Sequence, residues 1–166
     1  MIPKDIIMAS FDTSTKHSGW AIHKNAIYNK SGTIDHEDIK DGNERLNQML
    51  VSIFDLLNKE HPYIVVIEET KAPRNAKTQR DLTEILGAVR GWCMCNDAEF
   101  VAIAPSTWRK LVYGVDPKNR DMAKQWAIKK VKEDYGHECS DDEAEAILIG
   151  QARVLQFKSF MNDDDN

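Results

Sequence analysis

The sequence predicts an α/β protein in which helical segments alternate with buried β-strands. Residues 6–11 and 63–67 are apolar almost throughout and show no regular alternation with polar residues. Such runs are typical of strands that are buried on both faces in the centre of a sheet. A second strand is predicted to start at residues 20–22, and a third is predicted over residues 26–34. Together with the first strand they would form an antiparallel meander at the start of the chain.

Helices are predicted from capping residues and apolar spacing in the segments that separate and follow the strands. Asp41 and Glu44 form a capping box that opens a helix running to about residue 59. A fifth strand is predicted over residues 99–104. A second helix is predicted over residues 78–96, and a short third helix follows a cap at Ser106 and Thr107. A fourth helix is predicted from Asp116-Pro117 to residue 135. The last helix begins at a second capping box, formed by Ser140 and Glu143.

Size and composition indicate an ordinary globular protein. The chain has 166 residues, of which 42% are hydrophobic and 30% are charged. We expect one domain over residues 1–160 and a disordered acidic tail over residues 161–166. No apolar run approaches the ~20 residues of a membrane span, and the start lacks a signal-peptide pattern. These features predict a cytoplasmic protein without a membrane partner.

The three cysteines do not suggest a metal site at the level of sequence. An odd number of cysteines agrees with a reducing compartment. Cys93 and Cys95 are two positions apart in a predicted helix, so they point to different faces. With only Cys139 and scattered histidines besides, the sequence disfavours a zinc site and favours buried or unreactive thiols.

The charges are segregated along the chain. The net charge of −5 argues weakly against a nucleic acid partner. Residues 71–132, however, hold 13 basic and 6 acidic side chains, a net charge of +7. This distribution is typical of a protein with a polyanion-binding side, although a solvated helix face produces basic runs as well.

Many of these basic residues lie in segments that could bind a phosphate backbone. The segment over residues 70–80 contains no acidic side chain, and Pro73 and Asn75 make its beginning loop-like. Such a loop suits phosphate binding, and the alternative is an exposed linker that its lysines keep soluble. The candidate DNA-binding residues are Lys71, Arg74, Lys77, Arg80, Arg109, Lys110, Lys118, Arg120 and Lys124.

Gly87 and Gly91 stand four positions apart on one side of a predicted helix. Each glycine costs a helix interior about 1 kcal/mol, so the pair needs a structural reason. Close approach of a second helix across a dimer axis would supply one, and packing within the core of the same chain would supply another.

Both central strands end in acidic residues. Asp12 follows the first apolar run, and Glu68-Glu69 follows the second. Neighbouring strands lie about 4.8 Å apart, so two such carboxylates at one sheet edge could share a cation. For Asp12 the alternative is an Asx turn, in which its side chain accepts hydrogen bonds from loop amides.

The last predicted helix begins with further acidic residues. Its dipole favours carboxylates in the first turn, so most of them need no catalytic explanation. At about 100° per residue, however, Glu145 falls on the arc of apolar residues that faces the core. Asp142 lies at the edge of that arc and Asp141 also leans inward, so helical geometry does not choose between them.

Four short pieces of sequence, in a fixed order, carry a resemblance to a known family. They are Phe11–Ser14 with Gly19, Val66–Glu68, Ala104-Pro105 before a short basic helix, and Asp142–Ala146. Each is weak alone, but together they cover nearly the whole chain. In this respect the sequence resembles the RuvC family of Holliday junction resolvases, within the ribonuclease H-like superfold, and its phage-encoded members in particular.

The resemblance implies a five-stranded mixed sheet, antiparallel in its first three strands, with helices on both faces. It also implies a homodimer that cuts opposite strands of four-way junctions and other branched DNA, including three-way junctions and forks. Two Mg²⁺ ions, which Mn²⁺ could replace, would drive phosphodiester hydrolysis to 5′-phosphate and 3′-hydroxyl ends. A phage-encoded enzyme would act in the cytoplasm of its host.

Carried over residue by residue, the catalytic metal ligands implied by the resemblance are Asp12, Glu68, Asp142 and Glu145. Glu68 is chosen over Glu69 because it directly follows the apolar run, and Asp142 over Asp141 because the family spaces its last two acids three apart. Arg109 and Arg120 align with functional lysines of the family. Because an arginine does not release its proton, we expect them to clamp phosphates.

Two departures from the family pattern affect the expected specificity. Glu145 stands where an aspartate is usual, so one ligand is longer by a methylene. Lys71 stands where bacterial members place an aromatic residue that inserts among junction bases, which predicts relaxed, structure-guided cutting. The rival functions are another ribonuclease H-like nuclease, such as an exonuclease or a cutter of RNA–DNA hybrids, and a non-catalytic dimeric DNA-binding protein.

Overall fold

The structure is a computed structural model that describes residues 5–70, 75–117 and 119–163. Within these residues the strands are β1 (Ile7–Asp12), β2 (His17–Lys24), β3 (Ile27–Asp35), β4 (Ile64–Glu68) and β5 (Glu99–Ile103). The helices are α1 (Gly42–Glu60), α2 (Ala76–Cys95), α3 (Pro105–Tyr113), α4 (Arg120–Tyr135) and α5 (Asp141–Asp163). No helix in the described part of the chain combines the length and apolar character that a bilayer span requires.

The strands form one mixed sheet in the order β3-β2-β1-β4-β5. The first three strands pair antiparallel as a meander. β4 pairs parallel with β1 and with β5. The two strands predicted to be central, β1 and β4, lie side by side in the middle, which confirms the predicted α/β class and the mixed sheet.

Helices cover both faces of the sheet, as predicted. On one face, α1 and α2 pack on Ala9 and Phe11 of β1 and on Val65 and Ile67 of β4. On the other face, α3, α4 and α5 pack on the residues of opposite parity, such as Met8 and Val66. Successive side chains of a strand point to opposite faces, so the unalternated apolar sequence of β1 and β4 follows from this double burial.

Helix α5 lies unusually close to the sheet, and Gly150 makes this approach possible. A Cβ atom at Gly150 would lie only 2.2 Å from Cε1 of His23 on β2. One turn earlier, the Ser10 hydroxyl donates a 2.7 Å hydrogen bond to the carbonyl of Ala146. His23 is itself buried, and burial lowers its pKa to about 4, so the imidazole is neutral at physiological pH.

Several helix starts differ from the prediction. Asp41 caps α1 as expected, accepting from the backbone N–H groups of Asn43 and Glu44. The prediction that Asp116-Pro117 opens α4 was wrong, because the helix starts at Arg120 and Asn119 accepts from the N–H of Met122. Likewise, α3 begins at Pro105 without a side-chain cap, instead of at the predicted Ser106-Thr107 cap.

Gly87 and Gly91 lie on an open surface of α2. Among the residues that the structure describes, a Cβ atom at either position would meet no atom within 4 Å. The alternative that these glycines serve packing within the core is therefore wrong. The approach of a second helix from another chain remains a prediction.

The approach of α5 to β2 can be tested with a double-mutant cycle. Gly150→Ala is expected to lower the free energy of unfolding by roughly 1–3 kcal/mol, because overpacking outweighs the helix propensity that alanine gains. In a His23→Ala background the ring clash is absent and only the contact with Oγ of Ser10 at 2.7 Å remains, so the same substitution should destabilise the protein clearly less. Urea denaturation of the four proteins measures the coupling, and equal effects of Gly150→Ala in both backgrounds would contradict the assigned contact.

Candidate active site

The sheet places Asp12 and Glu68 next to each other on one face. The parallel register pairs Phe11 with Ile67, so the two acids follow adjacent paired positions on β1 and β4. Met8 and Val66 have the same parity as these acids and pack beneath α5. Both carboxylates therefore belong to the α5 face, whereas the next residue, Glu69, has the opposite parity and is exposed.

Helix α5 brings Asp142 and Glu145 to the same place. Its first turn touches β2 at Gly19, where a Cβ atom would lie 1.8 Å from the carbonyl oxygen of Asp142. Gly19 is also the antiparallel partner of Asp12. Only a residue without a side chain allows the start of α5 to approach β1 and β2 this closely. Glu145 is 7% exposed, consistent with its predicted position on the core-facing arc.

The four carboxylates line two adjoining clefts that share Asp12 and Glu68, with Asp142 in one cleft and Glu145 in the other. Burial raises the pKa of Asp12 well above its ordinary value, and the charges of Glu68, Glu145 and Asp142 raise it further. Burial also raises the pKa of Asp142, with contributions from the charges of Asp141 and Glu145. A set of crowded, oxygen-only donors that repel one another fits hard divalent cations such as Mg²⁺ or Mn²⁺, which would relieve the repulsion.

Two residues of α3 hold members of this cluster. The indole N–H of Trp108 donates a 2.6 Å hydrogen bond to Oε2 of Glu68. The guanidinium of Arg109 donates to Oε1 of Glu145 at 3.2 Å and lies 3.8 Å from a carboxylate oxygen of Asp116. Arg109 is thus bound to carboxylates and largely buried, so it orients Glu145 in this structure more than it presents a free charge to solvent.

The neighbouring acid Asp141 differs from Asp142 in its environment. Although burial raises the pKa of Asp141, its hydrogen bond with Lys124 and the lysine charge outweigh this effect and lower the pKa. Asp141 is therefore paired with a protein cation, whereas Asp142 lines the same cleft as Asp12 and Glu68. This distinction could not be made from helical geometry alone.

A cleft of about 870 Å³ opens in front of Asp12, Glu68 and Asp142. Three of the predicted DNA-binding residues line it: Lys77, Arg120 and Lys124. Arg120, together with Arg109 and Glu145, also lines an adjoining cleft of about 430 Å³. The predicted residues Arg80 and Lys110 are exposed but do not line either cleft. Lys71, Arg74 and Lys118 lie outside the described residues.

Several basic residues of the cleft were not predicted. Lys16 lies in the β1–β2 turn, and Lys40 and Arg45 flank the start of α1, yet all three line the same cleft. Arg45 is held in place by donating a 2.8 Å hydrogen bond to the carbonyl of Ile39. They belong to the first third of the chain, where acids outnumber bases, so local charge gave no signal for them. Trp108 was missed as well, because an indole in an apolar helix face is typical of a core residue.

Comparison with known proteins rests on structure alone, because no protein-family model and no curated protein matches the sequence. RuvC of T. thermophilus in complex with its Holliday junction substrate matches with a TM-score of 0.72 at 15% identity, over 93% of this chain and 96% of that chain. The fowlpox virus resolvase, solved with Holliday junction DNA, matches with a TM-score of 0.64 at 14% identity, over 92% and 99%.

A third structure, the yeast mitochondrial Holliday junction resolvase, matches with a TM-score of 0.55 at 16% identity, over 93% of this chain and 81% of that chain. Bacterial, viral and mitochondrial resolvases therefore share this architecture over at least 81% of their chains, despite low sequence identity. This chain has the ribonuclease H-like fold of the RuvC-type Holliday junction resolvases, as the resemblance in its sequence predicted.

Proposed function

We propose that this protein is a metal-dependent endodeoxyribonuclease that resolves Holliday junctions and other branched DNA by paired nicks. The observation that carries the proposal is that Asp12, Glu68, Asp142 and Glu145 line two adjoining clefts at one edge of the sheet. These residues lie far apart in sequence, and they come together through the sheet register and the position of α5 on the sheet. Structures of the same fold that were solved with Holliday junction DNA support branched DNA as the substrate.

The four carboxylates would hold two divalent cations, Mg²⁺ or in its place Mn²⁺. When bound, such ions supply Lewis-acid activation of a water and stabilisation of the leaving 3′ oxygen. The contribution of the chain is to fix its donors beforehand. Trp108 holds Glu68 and Arg109 holds Glu145, so these two side chains need less reordering when cations bind.

The basic residues of the cleft would bind the DNA backbone. Arg120 is exposed at the junction of the two clefts and is the best placed to clamp a phosphate beside the carboxylates. Lys16, Lys77 and Lys124 would extend this contact along the strand, although Lys77 and Lys124 also pair with Asp81 and Asp141. Contacts of this kind position the backbone without reading its sequence, in keeping with structure-guided cutting.

Paired nicking would require two copies of the site. A homodimer through the open glycine surface of α2 would provide them, since Gly87 and Gly91 leave room for a second helix to approach. In such a dimer each protomer would cut one of two opposite strands of the junction.

The metal hypothesis predicts opposite effects of Asp12→Asn with and without cations. Because the folded state raises the pKa of Asp12, the folded protein binds more protons than the unfolded one from about pH 4 up to that raised pKa, and the stability of the metal-free protein falls as pH rises through this range. Asp12→Asn removes this fall and should raise the melting temperature in EDTA at pH 8. Mg²⁺ or Mn²⁺ at 100 times Kd should add about 2.7 kcal/mol to wild type and much less to the variant.

Differential scanning fluorimetry over a pH series measures both effects. Glu69→Gln is the matched control, because it removes an exposed neighbouring carboxylate and should leave the metal response close to that of wild type. An equal metal response in Asp12→Asn and wild type would contradict cation binding at this cluster.

Cleavage should depend on Glu68 in particular. Glu68→Gln keeps an acceptor for the Trp108 N–H but removes the charge, so we expect Mg²⁺-dependent cutting of a four-way junction to fall by at least ~100-fold. Junction binding in Ca²⁺ or EDTA should persist or tighten, because a negative charge near phosphate is gone. Glu69→Gln should cut at close to the wild-type rate.

Product mapping on four-way, three-way and linear duplex DNA separates the proposed function from its rivals. Symmetric paired nicks near the branch point support a resolvase. Trimming from ends, or cutting of RNA–DNA hybrids alone, would identify another nuclease of this fold. Binding of junction DNA without any Mg²⁺- or Mn²⁺-dependent cleavage would identify a DNA-binding protein.

A further inference from the structure

A second group of potential metal ligands lies outside the carboxylate cluster. One ligand atom from each of His137, Cys139 and Glu143 lies within 4.8 Å of the others. His137 and Cys139 belong to the segment between α4 and α5, and Glu143 belongs to the first turn of α5. Glu143 follows Asp142 directly, but about 100° of helical rotation separates their side chains, so the two groups of ligands face different ways.

Contacts with β3 hold this group in place. The Ser31 hydroxyl donates a 2.6 Å hydrogen bond to Oε1 of Glu143, and Nε2 of His137 lies 2.9 Å from the same oxygen. The His137 ring also lies 6.2 Å from the ring of Tyr28. Ser31 therefore orients the carboxylate, as neighbours of metal ligands usually do, whereas the contact between His137 and Glu143 joins two of the three residues directly.

The donor set differs in kind from that of the carboxylate cluster. Imidazole nitrogen, thiolate sulfur and carboxylate oxygen together are the ligands of zinc, whereas oxygen alone suits Mg²⁺. We propose that His137, Cys139 and Glu143 form a zinc-binding site with three protein ligands and a fourth position for water. All three residues are partly exposed, so an ion can reach them from solvent.

Without a metal, the same contacts amount to a histidine–carboxylate pair beside an idle thiol. Burial and the charge of Glu143 raise the pKa of Cys139 to about 11, so the metal-free thiol is protonated at neutral pH. Zinc binding would then replace the thiol proton, which is released to solvent, and would form the Zn–S bond. The bound ion would also tie the α4–α5 connection and the start of α5 to each other.

Zinc binding at this site would not depend on nuclease activity, so metal binding alone tests it. The full chain is stripped with EDTA, and Zn²⁺ is titrated in competition with a chromophoric chelator. Co²⁺ is then added as a spectroscopic probe, because a cobalt–thiolate bond gives an intense near-ultraviolet charge-transfer band that oxygen ligands do not give. The variants are Cys139→Ser and His137→Gln, with Cys95→Ser as the matched control on an exposed cysteine of α2.

Wild type, Cys95→Ser and Glu68→Gln are expected to bind Zn²⁺ tightly and to show the thiolate band with Co²⁺. Cys139→Ser should lose the band, and both Cys139→Ser and His137→Gln should bind Zn²⁺ at least ~10–100-fold more weakly. Circular dichroism of each variant verifies that it is folded. Absence of the band in wild type, its persistence in Cys139→Ser, or its loss in Cys95→Ser would overturn the proposed site. Loss of nuclease activity in Glu68→Gln with an intact band would leave the two sites distinct.

Discussion

The close contact of α5 with β1 and β2 is the constraint on which the rest of this structure depends. Gly19 and Gly150 let the helix backbone approach the sheet where any side chain would collide. Ser10 fixes the depth of the contact by donating a hydrogen bond to the carbonyl of Ala146. Because Asp142 and Glu145 are carried by this helix, its position on the sheet decides whether they reach the strand acids. The arrangement of the candidate active site is therefore a consequence of core packing.

In the metal-free protein, the carboxylate cluster is electrostatically unfavourable for the folded state. Burial and mutual repulsion raise the pKa of Asp12, and such a group destabilises a folded protein when it is ionised. Neutral and cationic donors on the neighbouring helix α3 compensate in part, since Trp108 donates to Glu68 and Arg109 to Glu145. The apolar core on both faces of the sheet supplies the stability that this local repulsion removes.

Part of this arrangement was predictable because it depends on local sequence. The apolar runs of β1 and β4, which do not alternate with polar residues, indicated burial on both faces. The capping box at Asp41 indicated the start of α1. Parity along a strand distinguished Glu68 from Glu69 once the faces were known. The start of α4 was predicted wrongly, because Asp116-Pro117 has cap-like chemistry but Asn119 makes the capping hydrogen bond. Where several residues close together could cap a helix, the packing of the whole helix decides which of them does so.

The sequence by itself determined the elements, their burial and the acidic ends of the central strands, since each follows from residue type and spacing along a short segment. Only the tertiary structure decided which distant side chains meet. It paired Lys124 with Asp141 and placed Asp142 in the cleft with Asp12 and Glu68. It also brought together His137, Cys139 and Glu143, whose spacing in the sequence is not typical of zinc sites and did not predict this group. The physical reason is that such contacts depend on how closely α5 and the sheet approach, a property that no single segment contains.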